Sequence, residues 1–368
     1  MKIGILTFHR AHNYGAMLQA YALQRVLTCK GHEVEFISYR QPKIEEAYRA
    51  WIWQYDKSAS FRKNVINFIS SILTLFRRQK RRKAFLKFAV KKLPESRAYT
   101  QEQMLNQPLD YDLVFFGSDQ IWTTRFLGTF DSVLWGDINL KKGKKIAYAP
   151  SMELKHVSNE QKEYIKGHLE NFDYVSARET HMAQLLETIT GKVVPIVLDP
   201  TLLCKRNEFS ELIASSRRVP SKPYVLVYQI GNHKIVMDVA QVVAAQLGCG
   251  IIEIGSKVLL HSHKSYIESC DPADFVSLIA NATFVVSCSF HGTAISINFN
   301  KPFYSILISG ADSRVQSLLC QTNLQKCGIR GTDEVDVQSI MDIDYSKVEC
   351  LLEELRNTSM SYIDQAIN

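Results

Sequence analysis

The chain has 368 residues, 46% of them hydrophobic and 22% charged, a composition that suits about two globular domains and excludes disordered, collagenous and disulfide-stapled classes. The net charge of +7 is local: residues 61–97 hold twelve basic side chains and the single acid Glu95, so that segment is +11 and the remainder −4. A generally basic surface for nucleic acid is thereby excluded, and one basic patch needs its own explanation.

Met1 leads directly into an apolar segment with no charged leader or cleavage site behind it, so a cytoplasmic protein is expected. Eight cysteines lie scattered without a CxxC spacing, which argues for reduced, mostly buried thiols; neither a metal nor a cofactor is expected.

Residues 2–7 read as a buried strand, 16–30 as a helix stopped by Gly31, and 33–38 as the next strand, a unit of the doubly wound type. Short β-branched and aromatic runs recur at 112–116, 145–149, 174–177 and 193–197 between helical stretches, as a parallel sheet requires. Periodicity fails over 206–223, where Ser215, Ser216, Arg217, Arg218, Pro220, Ser221 and Pro223 indicate a linker. Alternation resumes with strands at 224–229, 250–254, 283–287 and 302–307 and helices at 235–247 and 272–280; residues 345–367 predict a final amphipathic helix. The expected organisation is a Rossmann-like domain over 1–210 with a basic helical insertion at 43–97, a second over 220–345, and a closing helix over 346–368 that packs back on the first.

Open parallel sheets bind ligands beyond the carboxyl ends of their strands, which singles out HRAHNYGA (9–16), GSDQIW (117–122), APSM (149–152), SARE (176–179) and SCSFHGT (287–293). In the last, Gly292 and Thr293 open a helix whose amino terminus suits a phosphate or carboxylate, and His291 there can move a proton near neutral pH. A histidine satisfied by neighbouring carbonyls is an equally weighted alternative. Arg178 follows a strand, where its planar fork suits two-point contact with an anion; a surface pair with Glu179 or Glu187 is the plainer reading. Asp119, in a Gly-Ser-Asp turn, reads as a weak base or as a cap.

In order along the chain, NYGAMLQAYAL, DLVFFGSDQIW, KIAYAPS, SARE, VLDPTLL, SFHGTAISINFNKPF and ADSRVQSLL resemble the polysaccharide pyruvyl transferase family over residues 1–325. The resemblance implies a GT-B-like fold, two Rossmann-like domains facing a cleft. It also implies transfer of pyruvyl from phosphoenolpyruvate to a sugar of a surface glycan or its lipid-linked precursor, as a ketal. By the same resemblance His291 and Asp119 are candidate acid/base groups. Arg178, Ser289, Gly292, Thr293 and Arg314 would bind the donor, and Asn13, Tyr14 and Gln120 the acceptor. Where family members carry Gly-Asp in the amino-terminal loop and an arginine two positions before the histidine, this chain has Gly15 with Ala16, and Ser289. A nucleotide-sugar glycosyltransferase and a catalytically silent glycan-assembly partner remain as rivals on the same fold.

Val65, Ile66, Ile69, Ile72, Leu73 and Phe76 fall at helical spacing and are followed by Arg77, Arg78, Lys80, Arg81, Arg82 and Lys83. This pattern predicts an interfacial helix for peripheral contact with the inner membrane leaflet, against the alternative of a solvated basic helix whose apolar face packs on its own domain. No nucleic-acid partner is expected.

Overall fold

The computed structural model describes residues 1–125, 127–153, 157–216, 218–308 and 312–368. Arg217 of the expected linker and Ala311 at the head of the ADSR motif lie outside the described residues. The first sheet contains β1 (Lys2–Leu6), β2 (Glu33–Tyr39), β3 (Glu95–Tyr99), β4 (Leu113–Asp119), β5 (Lys144–Pro150) and β6 (Tyr174–Val175), all parallel, in the order β3-β2-β1-β4-β5-β6. The second contains β7 (Tyr224–Gln229), β8 (Gly250–Gly255), β9 (Tyr266–Ile267), β10 (Phe284–Ser287), β11 (Phe303–Ile306) and β12 (Gly328–Ile329), also parallel, in the order β12-β11-β10-β7-β8-β9. Two Rossmann-like domains therefore face each other in the expected GT-B-like plan.

The central strands are covered on both faces, which is why KIGIL, LVFFGSD, YVLVYQ and FVVS read as nearly continuous apolar runs rather than as alternating ones. Strand order reverses beside β1 in the first sheet and beside β7 in the second, so the loops after β1, β4, β7 and β10 border the crevices where such folds bind ligands.

Packing and hydrogen bonds hold the domains in register. The helix Tyr14–Cys29 is buried on nearly every face because it lies between its own sheet and the second-domain helices Pro272–Ala280 and Phe290–Asn298. At its start Tyr14 stacks on Phe275 with ring centroids 4.8 Å apart. The closing helix Tyr345–Ile367 returns to the first domain, where the Tyr362 hydroxyl donates to the Ala147 carbonyl at 3.1 Å and Ser359 Oγ accepts from the Leu198 amide at 2.9 Å.

Several expected elements differ. Residues 193–197 form no strand: Pro195 has no N–H to give a ladder, and the segment's regular pairing is the single bridge Ala177–Ile196. The strand expected at 174–177 is correspondingly cut to β6. The expected linker holds the short helix Ser210–Ser215, which with Phe209 and Leu212 buries apolar surface. The basic segment 61–97 is two elements: a 32-residue helix, Phe61–Lys92, ended at Pro94, and then the edge strand β3. Among the described residues no helix is long and apolar enough to cross a membrane.

Candidate functional site

The loops bordering both crevices meet around one buried carboxylate. Asp199 starts the turn Pro200–Leu203, its Oδ1 accepting from the Thr201 amide at 3.0 Å and the Thr201 hydroxyl at 2.7 Å. Its other oxygen faces the cleft, 2.9 Å from Arg178 Nη1, 3.2 Å from Ser118 Oγ and 3.5 Å from His291 Nε2. Burial works against a charged Asp199, yet the neighbouring His291 and Arg178 hold its carboxyl well below the usual range. Arg178 comes from the first domain and His291 from the second, so the carboxylate links the two.

Arg178 is fully enclosed. Its Nε lies 3.3 Å from Glu179 Oε2, its Nη1 also lies 3.7 Å from Asp119 Oδ1, and its guanidinium carbon sits 4.4 Å above the Phe290 ring. Burial would lower its pKa, but Glu179, Asp199 and Asp119 more than offset this and raise it, so the cation is permanent. Glu179 is itself fixed by the Ser151 hydroxyl. Arg314, half-buried at the start of the helix Ser313–Gln321, makes no hydrogen bond or ion pair among the described residues; burial and the Arg178 charge lower its pKa.

Among the described residues, Arg178 Nη2, His291 Nε2 and Gln120 Nε2 are buried without a hydrogen-bond partner. Unpaired buried donors are costly. The backbone beneath them is strained, with φ of +77° at Asp119 and +49° at Ala149, the ends of β4 and β5. His291 is seated directly on the first domain: a Cβ added to Gly15 would lie 2.1 Å from His291 Nδ1.

Several expected roles need correction. Arg178 does not present a free fork, because Nε and Nη1 face its own carboxylates and only Nη2 is open. Tyr14 is no acceptor contact: it is wholly buried, and its hydroxyl meets Arg81, Cys270 and the Gly255 carbonyl. Asn13 caps the helix Tyr14–Cys29 through bonds from the Gly15 and Ala16 amides. Ser289 caps Phe290–Asn298, and its Oγ takes the Gly292 N–H at 3.5 Å. Thr293 bonds Ser305 at 2.6 Å, while Gly292 allows close packing on Ser287 and Tyr228. These residues shape the two helix ends. Asp119 caps nothing and sits against Arg178.

A family model described as polysaccharide pyruvyl transferase matches residues 13–310. The chain belongs to the polysaccharide pyruvyl transferase family. The matched span contains His291, Arg178, Asp119 and Gln120 and stops just before Arg314. No curated protein matches significantly. Among solved structures the chain is similar to UDP-GlcNAc 2-epimerase of Methanocaldococcus jannaschii in complex with UDP-GlcNAc and UDP (11% identity, TM-score 0.46, 96% of this chain and 99% of that chain). It is also similar to UDP-GlcNAc 2-epimerase of Neisseria meningitidis bound to UDP-GlcNAc (10%, 0.44, 98% and 94%) and to E. coli heptosyltransferase WaaC with ADP-2-deoxy-2-fluoro heptose (11%, 0.39, 84% and 89%).

For this pyruvyl transferase family member, sequence reasoning missed Asp199 and Glu179 as site residues. Asp199 lies in VLDPTLL, where an aspartate before proline reads as a helix cap, and it does cap Thr201. Only its second oxygen serves the site, and nothing in the local sequence distinguishes the two. Among the described residues no cluster of three or more His, Cys, Asp or Glu side chains is placed to hold a metal.

Proposed function

We propose that this protein transfers the pyruvyl group of phosphoenolpyruvate to two hydroxyls of a glycan sugar, forming a pyruvate ketal and releasing inorganic phosphate. The observation that carries the reading is that Arg178 and His291, from different domains, both border buried Asp199, while Arg178 Nη2 has no partner and His291 Nε2 has only its 3.5 Å approach to that carboxylate. A ligand with a phosphate and a carboxylate supplies the missing acceptors.

In this reading Arg178 Nη2 and Arg314 hold the donor anion, taking the place of the arginine that Ser289 replaces. Attack of one sugar hydroxyl on the donor's second carbon, with proton delivery to its methylene carbon, gives a ketal phosphate. Loss of phosphate and closure by the second hydroxyl complete the ring. Two hydroxyl protons are released, one to the methyl group and one to phosphate, so the balance closes. His291 relays the proton, and Asp199 stabilises the imidazolium formed in between. In this reading Gln120 Nε2, which has no partner among the described residues, bonds an acceptor or donor oxygen.

The test is incubation with phosphoenolpyruvate and a glycan acceptor, followed by detection of released phosphate and the ketal methyl signal by NMR. His291→Ala is expected to keep the fold and lower turnover by about a hundredfold to ten thousandfold. Binding of a nucleotide sugar in place of phosphoenolpyruvate, or full turnover by a folded His291→Ala protein, would overturn the assignment.

A further inference from the structure

The helix Phe61–Lys92 is turned inside out. On its first half the buried positions are polar: Asn64, Ser71 and Thr74. They are satisfied locally, Asn64 by the Asp56 and Ala59 backbone, Ser71 by the Asn67 carbonyl and Thr74 by the Ser70 carbonyl. The large apolar side chains face outward instead, with Phe61 78%, Leu73 61% and Phe76 76% exposed, and Val65, Ile66, Ile69 and Ile72 beside them. A soluble helix normally buries that stripe, and a contiguous apolar face left open marks an interaction surface.

The same stripe changes character halfway along. Residues 69, 73, 76, 80, 83, 87 and 91 follow one another at steps of three and four, so they lie on one face. The first three are Ile69, Leu73 and Phe76, and the last four are Lys80, Lys83, Lys87 and Lys91, all exposed. The helix carries no acid. Exposed Trp51, with its ring edge-on to Phe68, extends the apolar half.

Not all of the basic run is free, which corrects the expectation that Arg77 and Arg81 belong to this surface. Arg77 pairs with Glu268 at 2.6 Å. Arg81 is buried and donates at 2.8 Å to Tyr14 Oη and to the Gly255 and Glu268 carbonyls, tying the helix to both domains. These two anchor the helix, and the four lysines are left facing outward.

We propose that the outer face of this helix docks on an anionic lipid bilayer, its apolar first half sinking among the headgroups and its four lysines lying on lipid phosphates. Charge complementarity selects this occupant. A second copy of the chain would bring another acid-free helix and leave the lysines uncompensated, whereas an anionic surface matches both halves. The proposal stands apart from the reaction in the cleft, because none of these side chains enters it.

The experiment is co-sedimentation of the whole protein with vesicles of phosphatidylcholine mixed with phosphatidylglycerol, and with phosphatidylcholine alone, at low and high salt. Wild-type protein is expected on the anionic vesicles at low salt, with a blue shift of tryptophan emission, and to be released as salt rises. Combined Lys80→Glu, Lys83→Glu, Lys87→Glu and Lys91→Glu, or combined Ile69→Asp, Leu73→Asp and Phe76→Asp, should each lower the bound fraction more than about tenfold. Their circular dichroism and melting temperature should stay unchanged. Failure of the wild type to bind, equal binding to neutral vesicles, or undiminished binding by the lysine variant overturns the proposal. So does light scattering that shows a solution dimer dissolved by the aspartate variant, since a second copy would then cover the face.

Discussion

At the scale of single residues, the contact between Gly15 and His291 is the tightest constraint on the site. Gly15 sits at the start of the first domain's leading helix, and His291 reaches across the cleft to rest on it. Any side chain at position 15 would have to displace the imidazole, since a Cβ there would lie 2.1 Å from Nδ1. Alanine otherwise suits a helix better than glycine, so Gly15→Ala should fold normally while moving His291 by a fraction of an ångström to an ångström. Misplacement on that scale costs about a hundredfold in turnover. The expected signature is a fall in kcat with little change in donor affinity; unchanged kcat would mean that His291 has another resting place and that the contact does not position it.

At the scale of elements, acid sensitivity should collect where the leading loop meets the basic helix. Burial, followed by the charges of Arg81, Arg82 and Arg10, pushes His12 down to about 4. Its folded pKa lies below the unfolded value, so the unfolded chain binds the extra proton first, and stability is lost as pH falls from about 6.5 towards 4. A urea midpoint measured across that window should decline in the wild type and decline less in His12→Asn. Equal slopes would show that other groups dominate. The same region shows what the sequence made legible. The amphipathic period of Phe61–Lys92 can be read from its residues, but which face turns inward cannot, because Asn64 is satisfied by a neighbouring loop that has no periodicity of its own and Ser71 and Thr74 by carbonyls of their own helix. β1, β4, β7 and β10 were readable as apolar runs because they are buried on both faces. β3, with the sequence ESRAY, was hidden by its edge position and its charges.

At the scale of the whole molecule, the two domains share one core. Tyr14, Phe85, Phe275 and Tyr228 belong to a single buried cluster that runs from the first sheet into the second, and the closing helix adds Leu352 and Ile363 to it. The loop positions of His291, Arg178 and Asp119 were legible because doubly wound sheets place ligands after their strands. The role of Asp199 as the carboxylate that both Arg178 and His291 approach was not, since only folding brings it between them. A shared core implies cooperative unfolding. All four tryptophans, Trp51, Trp53, Trp122 and Trp135, lie in the first domain or its insertion, so tryptophan emission follows that half while far-ultraviolet circular dichroism follows both. The two probes should give one coincident urea transition. Arg81→Ala removes the guanidinium that bonds Tyr14 and the Gly255 and Glu268 carbonyls, leaving buried groups unsatisfied, and should lower stability by about 2 to 4 kcal/mol. If the strut couples the halves, that variant should also separate the two transitions, with emission and circular dichroism no longer superimposing. Two transitions already present in the wild type would mean that the domains fold independently and that the site assembles only when they dock.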